Sequence, residues 1–241
     1  MTTAKIIAVA NQKGGPGKTT VAMQLAAGLA MRKMSVMVID TDPQGSATHW
    51  GASGDDGFPV AVVSLAAVPD KVHREIKKFV GSYEVILIDC PPSVASPATQ
   101  SALLIADLAV LPVRPSPTDL WALKETIQLI EAARTVNDEL TAVVVVNQWQ
   151  PNTLLSTDAL QALDEIGLPV LKTRLHHRQA YQQCAVLGSA VYGLGRAAKP
   201  AIDEVEALVV EVGQLLGTPF ERIAEAWKQW PAILLKETAK K

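Results

Sequence analysis

The sequence predicts an α/β fold, a doubly wound, mostly parallel sheet with helices on both faces. Three observations carry this. Apolar, β-branched runs alternate with helix-patterned stretches through most of the 241 residues. The runs are continuously apolar, as expected of strands buried on both faces. The first run also passes through a glycine-rich turn directly into a helix, the opening of many nucleotide-binding sheets.

Taken in order, strands are expected at 6–10, 36–39, 60–63, 85–88, 108–112, 142–146 and 170–174. Helices are expected at about 18–33, 69–80, 97–106, 119–136 and 154–166. Pro43-Gln44-Gly45 reads as a turn and the glycine-rich 51–57 stretch as an exposed loop. Leu216-Gly217-Thr218-Pro219 closes the last long helix. Residues 1–217 therefore read as one α/β domain and 218–241 as a helical extension. No internal repeat or linker interrupts the domain.

Composition sets the class. Hydrophobic residues at 49% and charged residues at 19% describe a folded globular chain, not a disordered one. Two cysteines, Cys90 and Cys184, are too few for a disulfide framework and fit a reducing cytoplasm. The start leads straight into the first strand, so no cleavable signal is expected, and no apolar run reaches membrane-spanning length. The histidines have no metal-ligand spacing with the cysteines. Net charge is only −2, yet from Ile166 to Ile202 there is no Asp or Glu. Lys172, Arg174, Arg178, Arg196 and Lys199 lie in that stretch, with His176 and His177 among them.

The chemistry concentrates at the carboxyl ends of the expected strands, where open α/β sheets bind ligands. Gln12-Lys13-Gly14-Gly15-Pro16-Gly17-Lys18-Thr19-Thr20 links the first strand to the first helix. Glycines let the backbone approach a phosphate, and amides at a helix start point toward it. Lys18 supplies a point charge for the β/γ-phosphates, and the Thr19 hydroxyl suits Mg²⁺. Gln12 replaces the first glycine of the usual phosphate loop, and Lys13 is an added lysine. Pro16 removes one backbone donor. Asp40 and Asp42 end the second strand. Asp89 ends the fourth, and with Pro91-Pro92 behind it, it caps no helix.

Lys-Gly-Gly-x-Gly-Lys-Thr-Thr resembles the deviant phosphate loop of the ParA/MinD family of ATPases. The resemblance continues at 40–48 and 86–93 and extends, more weakly, to Leu216. It is nearest the small ParA type, which lacks an N-terminal DNA-reading domain. The resemblance implies a P-loop NTPase fold, ATP and Mg²⁺ as cofactors, and slow ATP hydrolysis to ADP and phosphate. ATP would be bound by Lys13, Gly14, Gly15, Pro16, Gly17, Lys18, Thr19 and Thr20. Thr19, Asp40 and Asp89 would serve Mg²⁺, with Asp40 in a supporting role and Asp89 acting through water. Asp42 would act on the attacking water. Lys13 would cross a dimer interface to the partner's ATP, so that Lys13, Lys18 and Asp42 form the catalytic set. Asn147 sits where relatives contact adenine, and 112–119 where they face nucleotide and partner. For both, a purely structural turn remains an equal reading.

The resemblance also implies an ATP-driven homodimer that binds DNA without sequence preference and is released by hydrolysis. A ParB-like or other small adaptor would stimulate that step, and the protein would be cytoplasmic and nucleoid-associated. Arg174, Arg178, Arg196 and Lys199 are the DNA candidates, against the alternative of a solvated basic face. The cargo is open among a plasmid, a chromosome, a chemoreceptor cluster and a carboxysome. A second reading is a MinD-like, membrane-associated division regulator. The tail's near-balanced charges and Pro231 favour a helix packed on the body or a partner over a membrane anchor. A third reading is a metabolic P-loop enzyme, an amidoligase with a substrate-binding extension or a reductase subunit with metal-ligating cysteines; Cys90 inside the acidic motif and Cys184 without a close companion weigh against the reductase.

Overall fold

The computed structural model describes residues 4–54, 57–93, 95–151, 162–163 and 165–230. Among these residues seven strands form one sheet: β1 Lys5–Val9, β2 Val36–Asp40, β3 Ala61–Ser64, β4 Val85–Asp89, β5 Leu108–Val113, β6 Thr141–Trp149 and β7 Val170–His176. Their spatial order is β3-β2-β4-β1-β5-β6-β7, and every pairing is parallel. The expected strands are all present, shifted by a residue or two at their ends, except that β6 runs three residues further, through Asn147 to Trp149. The chain winds one way from β1 through β2 and β3, then returns to place β4 and β5 on either side of β1. The phosphate loop therefore leaves the sheet at its topological switch point, where a crevice opens.

The helices are α1 Lys18–Ala30, α2 Ser46–Ala52, α3 Val72–Ile76, α4 Pro97–Leu103, α5 Pro117–Arg134, α6 Gln179–Val186 and α7 Lys199–Leu215. Each sheet face has its own core. Ile7, Val9, Val38, Leu87, Val110 and Val145 pack under α1, α6 and α7. Their neighbours Ile6, Ala8, Ile39, Ile88, Leu111 and Val146 pack under α3, α4 and α5. Because both faces are covered, the strands are apolar at successive positions, as their sequences are. Helix α1 is buried on nearly every side, and Gly28 lets α7 approach it: a β-carbon there would strike Val209 and lie 2.9 Å from the Tyr192 hydroxyl.

The expected helix at 69–80 is a 3₁₀ turn, Pro69–Lys71, followed by the short α3. Most of the helix expected at 154–166 lies outside the described residues. The described part of the extension, 218–230, lies against α1 and α7. Arg32 and Glu206 form a buried pair, Nη2 to Oε2 2.9 Å. Glu206 also accepts from the Tyr192 hydroxyl at 2.8 Å and from the Ile223 amide at 2.6 Å, while Arg32 donates to the Glu221 carbonyl at 2.7 Å. Trp230 stacks on Tyr192 with ring centroids 5.8 Å apart. At the β7 edge, the Lys172 and Thr173 amides donate to Glu211 at 2.8 and 2.9 Å, and the His176 amide donates to Glu204 at 3.1 Å. Among the described residues no helix is long and apolar enough to cross a membrane.

Candidate functional site

The phosphate loop is built by its own glycines and by three tied carbonyls. Gly15 and Gly17 take left-handed backbone angles, φ 92° and 89°, which side chains disfavour. At Gly17 a β-carbon would also collide with the Asn147 amide nitrogen. The Lys18 ammonium curls back to the Lys13 carbonyl at 3.0 Å, Asn147 Nδ2 donates to the Pro16 carbonyl at 2.7 Å, and Gln148 Nε2 donates to the Gly15 carbonyl at 2.9 Å. Asn11 anchors the loop's start by donating to the Pro112 carbonyl at 2.7 Å. Thr19 and Thr20 open α1, so their amides lie among the unpaired donors of its first turn.

Asp89, the last residue of β4, meets this loop through Thr19, whose hydroxyl donates to Oδ2 at 2.6 Å. Its other oxygen, Oδ1, is buried and has no hydrogen-bond partner among the described residues. Burial pushes the Asp89 carboxyl up to about 7, against the Thr19 hydrogen bond and Lys18 and with help from Asp40. Burial likewise lowers the Lys18 ammonium below its ordinary value, though Asp89 opposes it. The neighbouring Cys90 thiol, buried beside Asp89, is pushed up to about 12 and is therefore no nucleophile near neutral pH. A buried carboxylate oxygen without a partner, next to a threonine hydroxyl, is a hard-oxygen donor set that suits Mg²⁺.

Asp40 and Asp42 divide in role. Asp40 is fully buried, in register with Asp89 across β2 and β4. Its Oδ1 accepts from the Asp42 amide at 3.1 Å, and its Oδ2 from the Thr48 amide and hydroxyl at 2.8 and 2.9 Å. Asp40 is thus spent on the turn that launches α2. Asp42 is partly exposed, with Oδ1 accepting from the Gln44 amide at 2.9 Å.

Segment 112–119 reaches the loop. Lys13 Nζ lies 2.8 Å from Asp119 Oδ2 and 2.8 Å from Thr118 Oγ1. Arg114 also holds Asp119, through Nε at 3.0 Å and Nη2 at 3.2 Å, and its guanidinium lies beside Gly15. Burial alone would raise the Asp119 carboxyl, but the hydrogen bonds from Arg114, Lys13 and Ser116 outweigh it and hold it below the ordinary value. Arg114 was not singled out from the sequence, although its segment was.

On the far side of the loop a cavity of about 360 Å³ is lined by Thr20, Asn147, Gln148, His176, His177 and Tyr181, among others. It has the size for a nucleoside. Asn147 borders it, but its amide already serves Pro16 and the Gln148 amide at 2.9 Å. The histidines and Tyr181 were not expected there, because only the fold brings the β7 end and α6 beside β6.

The basic stretch looks different in three dimensions. Free of acids in sequence, it is met by the acids of α7. Arg178 pairs with Glu204 at 2.6 Å, and Lys199 pairs with Asp203. Arg174 stacks on Trp149, 4.6 Å from the ring centroid. Arg196 is exposed and has no ion-pair partner among the described residues. The premise of a surface with few competing acids is corrected: it holds at Arg196 and Arg174, not at Arg178 and Lys199.

Residues 7–186 match the model of the CobQ/CobB/MinD/ParA nucleotide-binding domain. The chain is 35% identical over 206 residues to the maintenance of carboxysome distribution protein A of Halothiobacillus neapolitanus, covering 86% of this chain and 95% of that one. It is 28% identical over 229 residues to a ParA protein of Rhizobium radiobacter, covering 92% and 98%. In fold it is similar to an ATP complex of a variant McdA of Cyanothece, with TM-score 0.72, 19% identity, and 92% and 99% of the chains covered.

Proposed function

The chain belongs to the CobQ/CobB/MinD/ParA nucleotide-binding family, and on that premise we propose that it is a positioning ATPase that dimerises around ATP. Lys13 carries the reading. Lys18 folds back onto the loop's own Lys13 carbonyl, whereas the Lys13 ammonium is held by Asp119 and Thr118, with its side chain 31% exposed. A second, partly exposed cation beside the loop is suited to a second copy's phosphates. ATP would then sit between two positive loops, and binding would drive association.

Thr19 and Asp89 would hold Mg²⁺, which would neutralise phosphate charge. The loop amides and Lys18 bind and orient the phosphates, and Asp42 orients the attacking water. Asp40 acts through the turn it holds. The ATP dimer binds DNA without sequence preference through Arg196 and Arg174, with Arg178 and Lys199 at the margin, and hydrolysis stimulated by a small adaptor releases it. The likeness to the carboxysome-distribution relative supports a carboxysome-like protein assembly as cargo, in preference to a plasmid or chromosome.

Co-sedimentation tests this reading. Plasmid DNA should retain the protein only with ATP and Mg²⁺, and anionic liposomes should not. Retention by liposomes instead would overturn the DNA reading in favour of a MinD-like membrane regulator.

A further inference from the structure

The end of β6 presents two consecutive amide side chains to two consecutive carbonyls of the phosphate loop. Asn147 holds Pro16 O at 2.7 Å and Gln148 holds Gly15 O at 2.9 Å. In a planar trans peptide the carbonyl and the next N–H point in opposite directions. Drawing Pro16 O toward β6 therefore turns the Gly17 N–H toward the cradle. The peptide before it ends at Pro16 and has no N–H, so nothing on the phosphate side can fix its plane. Gln148 fixes that plane from behind. Gln148 itself has φ 54°, a conformation rare for a non-glycine residue, and Asn147 Oδ1 steadies it by accepting the Gln148 amide at 2.9 Å.

We propose that Gln148, seconded by Asn147, is a positioning residue for phosphate binding, a brace that aims the loop's amides by holding its carbonyls outward. This gives Asn147 a role in the loop. It rests on the phosphate loop being the nucleotide site.

The test titrates wild type, Gln148→Met and Gln148→Gly with ATP, GTP and inorganic tripolyphosphate. Gln148→Met keeps the side chain's length without a donor or a new charge. Gln148→Gly accepts the positive φ freely but also lacks the donor. Both should weaken ATP and tripolyphosphate by the same factor, about three- to tenfold for one hydrogen bond, with the ATP-to-GTP preference unchanged. Tripolyphosphate binding equal to wild type, a changed base preference, or full recovery in Gln148→Gly would each overturn the brace. Wild-type protein that binds neither ATP nor tripolyphosphate would remove the underlying reading and the brace with it.

Discussion

Lys13 and Asp119 are joined within one chain, the ammonium 2.8 Å from an oxygen of a carboxylate that is wholly buried. A lysine that is to act on a partner's nucleotide must leave this contact. Asp119 can release it, because Arg114 donates two hydrogen bonds to the same carboxylate and Ser116 another. The buried charge is never left bare, which is what would make the departure expensive.

Lys18→Ala should lose nucleotide binding, since the phosphates lose their main charge partner. Lys13→Ala should keep substantial ATP binding but fail to dimerise. Sedimentation with ATP checks both, and a Lys13→Ala dimer as tight as wild type would refute the crossing role.

The lowered Asp119 carboxyl has a defined pH signature. A carboxyl held below its ordinary value of 3.8 adds stability that is present above that value and lost as pH falls through the lowered one. Wild type should therefore be more stable than Asp119→Asn at neutral pH, with the gap closing in acid. Urea melts from neutral pH to below 3.8 measure it; a gap that widens in acid contradicts the assignment.

Asp42→Ala should bind ATP and Mg²⁺ and accumulate as a stable dimer. Wild-type turnover should itself fall far below the ~10 s⁻¹ median of enzymes, as a switch with a long-lived ATP state requires. Phosphate release measures both, and unchanged turnover in the variant would move the water-orienting role elsewhere.

DNA binding should require ATP and fall steeply with salt. If a dimer neutralises about six phosphates, raising salt from 50 to 200 mM should cost on the order of a thousandfold. Arg196→Glu should abolish binding and leave dimerisation intact. Arg178→Glu should act mainly by setting a second carboxylate against Glu204, visible as a loss of thermal stability. Full DNA binding by Arg196→Glu would take this surface out of the mechanism.

Arg32→Met should destabilise the fold by about 3–5 kcal/mol, because Glu206 would remain a buried carboxylate without its counter-charge. Urea denaturation followed by tryptophan fluorescence checks it. A loss below about 1 kcal/mol would place the pair in the class of exposed ion pairs.

The strands were legible because each is a continuous apolar run between polar ends, and their sequence order placed the loop, Asp40 and Asp89 together. Helices α2 and α6 were not. Ser46–Ala52 is a short helix in a stretch given no element, between the turn at 43–45 and the loop expected at 51–57, and Gln179–Val186 buries only Tyr181 and Cys184. The loop's internal chemistry was visible from residue types. The partners supplied from far along the chain were not: Asp119 for Lys13, Gln148 for Gly15 and Glu204 for Arg178 are set by packing that no local pattern reports.

The carboxylates that occupy the β7 amides have a consequence for assembly. An open sheet margin invites another strand to add on, and copies joined that way build fibres without limit. With the Lys172, Thr173 and His176 amides already taken by Glu211 and Glu204, this flank offers no such template. A dimer of the kind proposed above would have to form away from this flank.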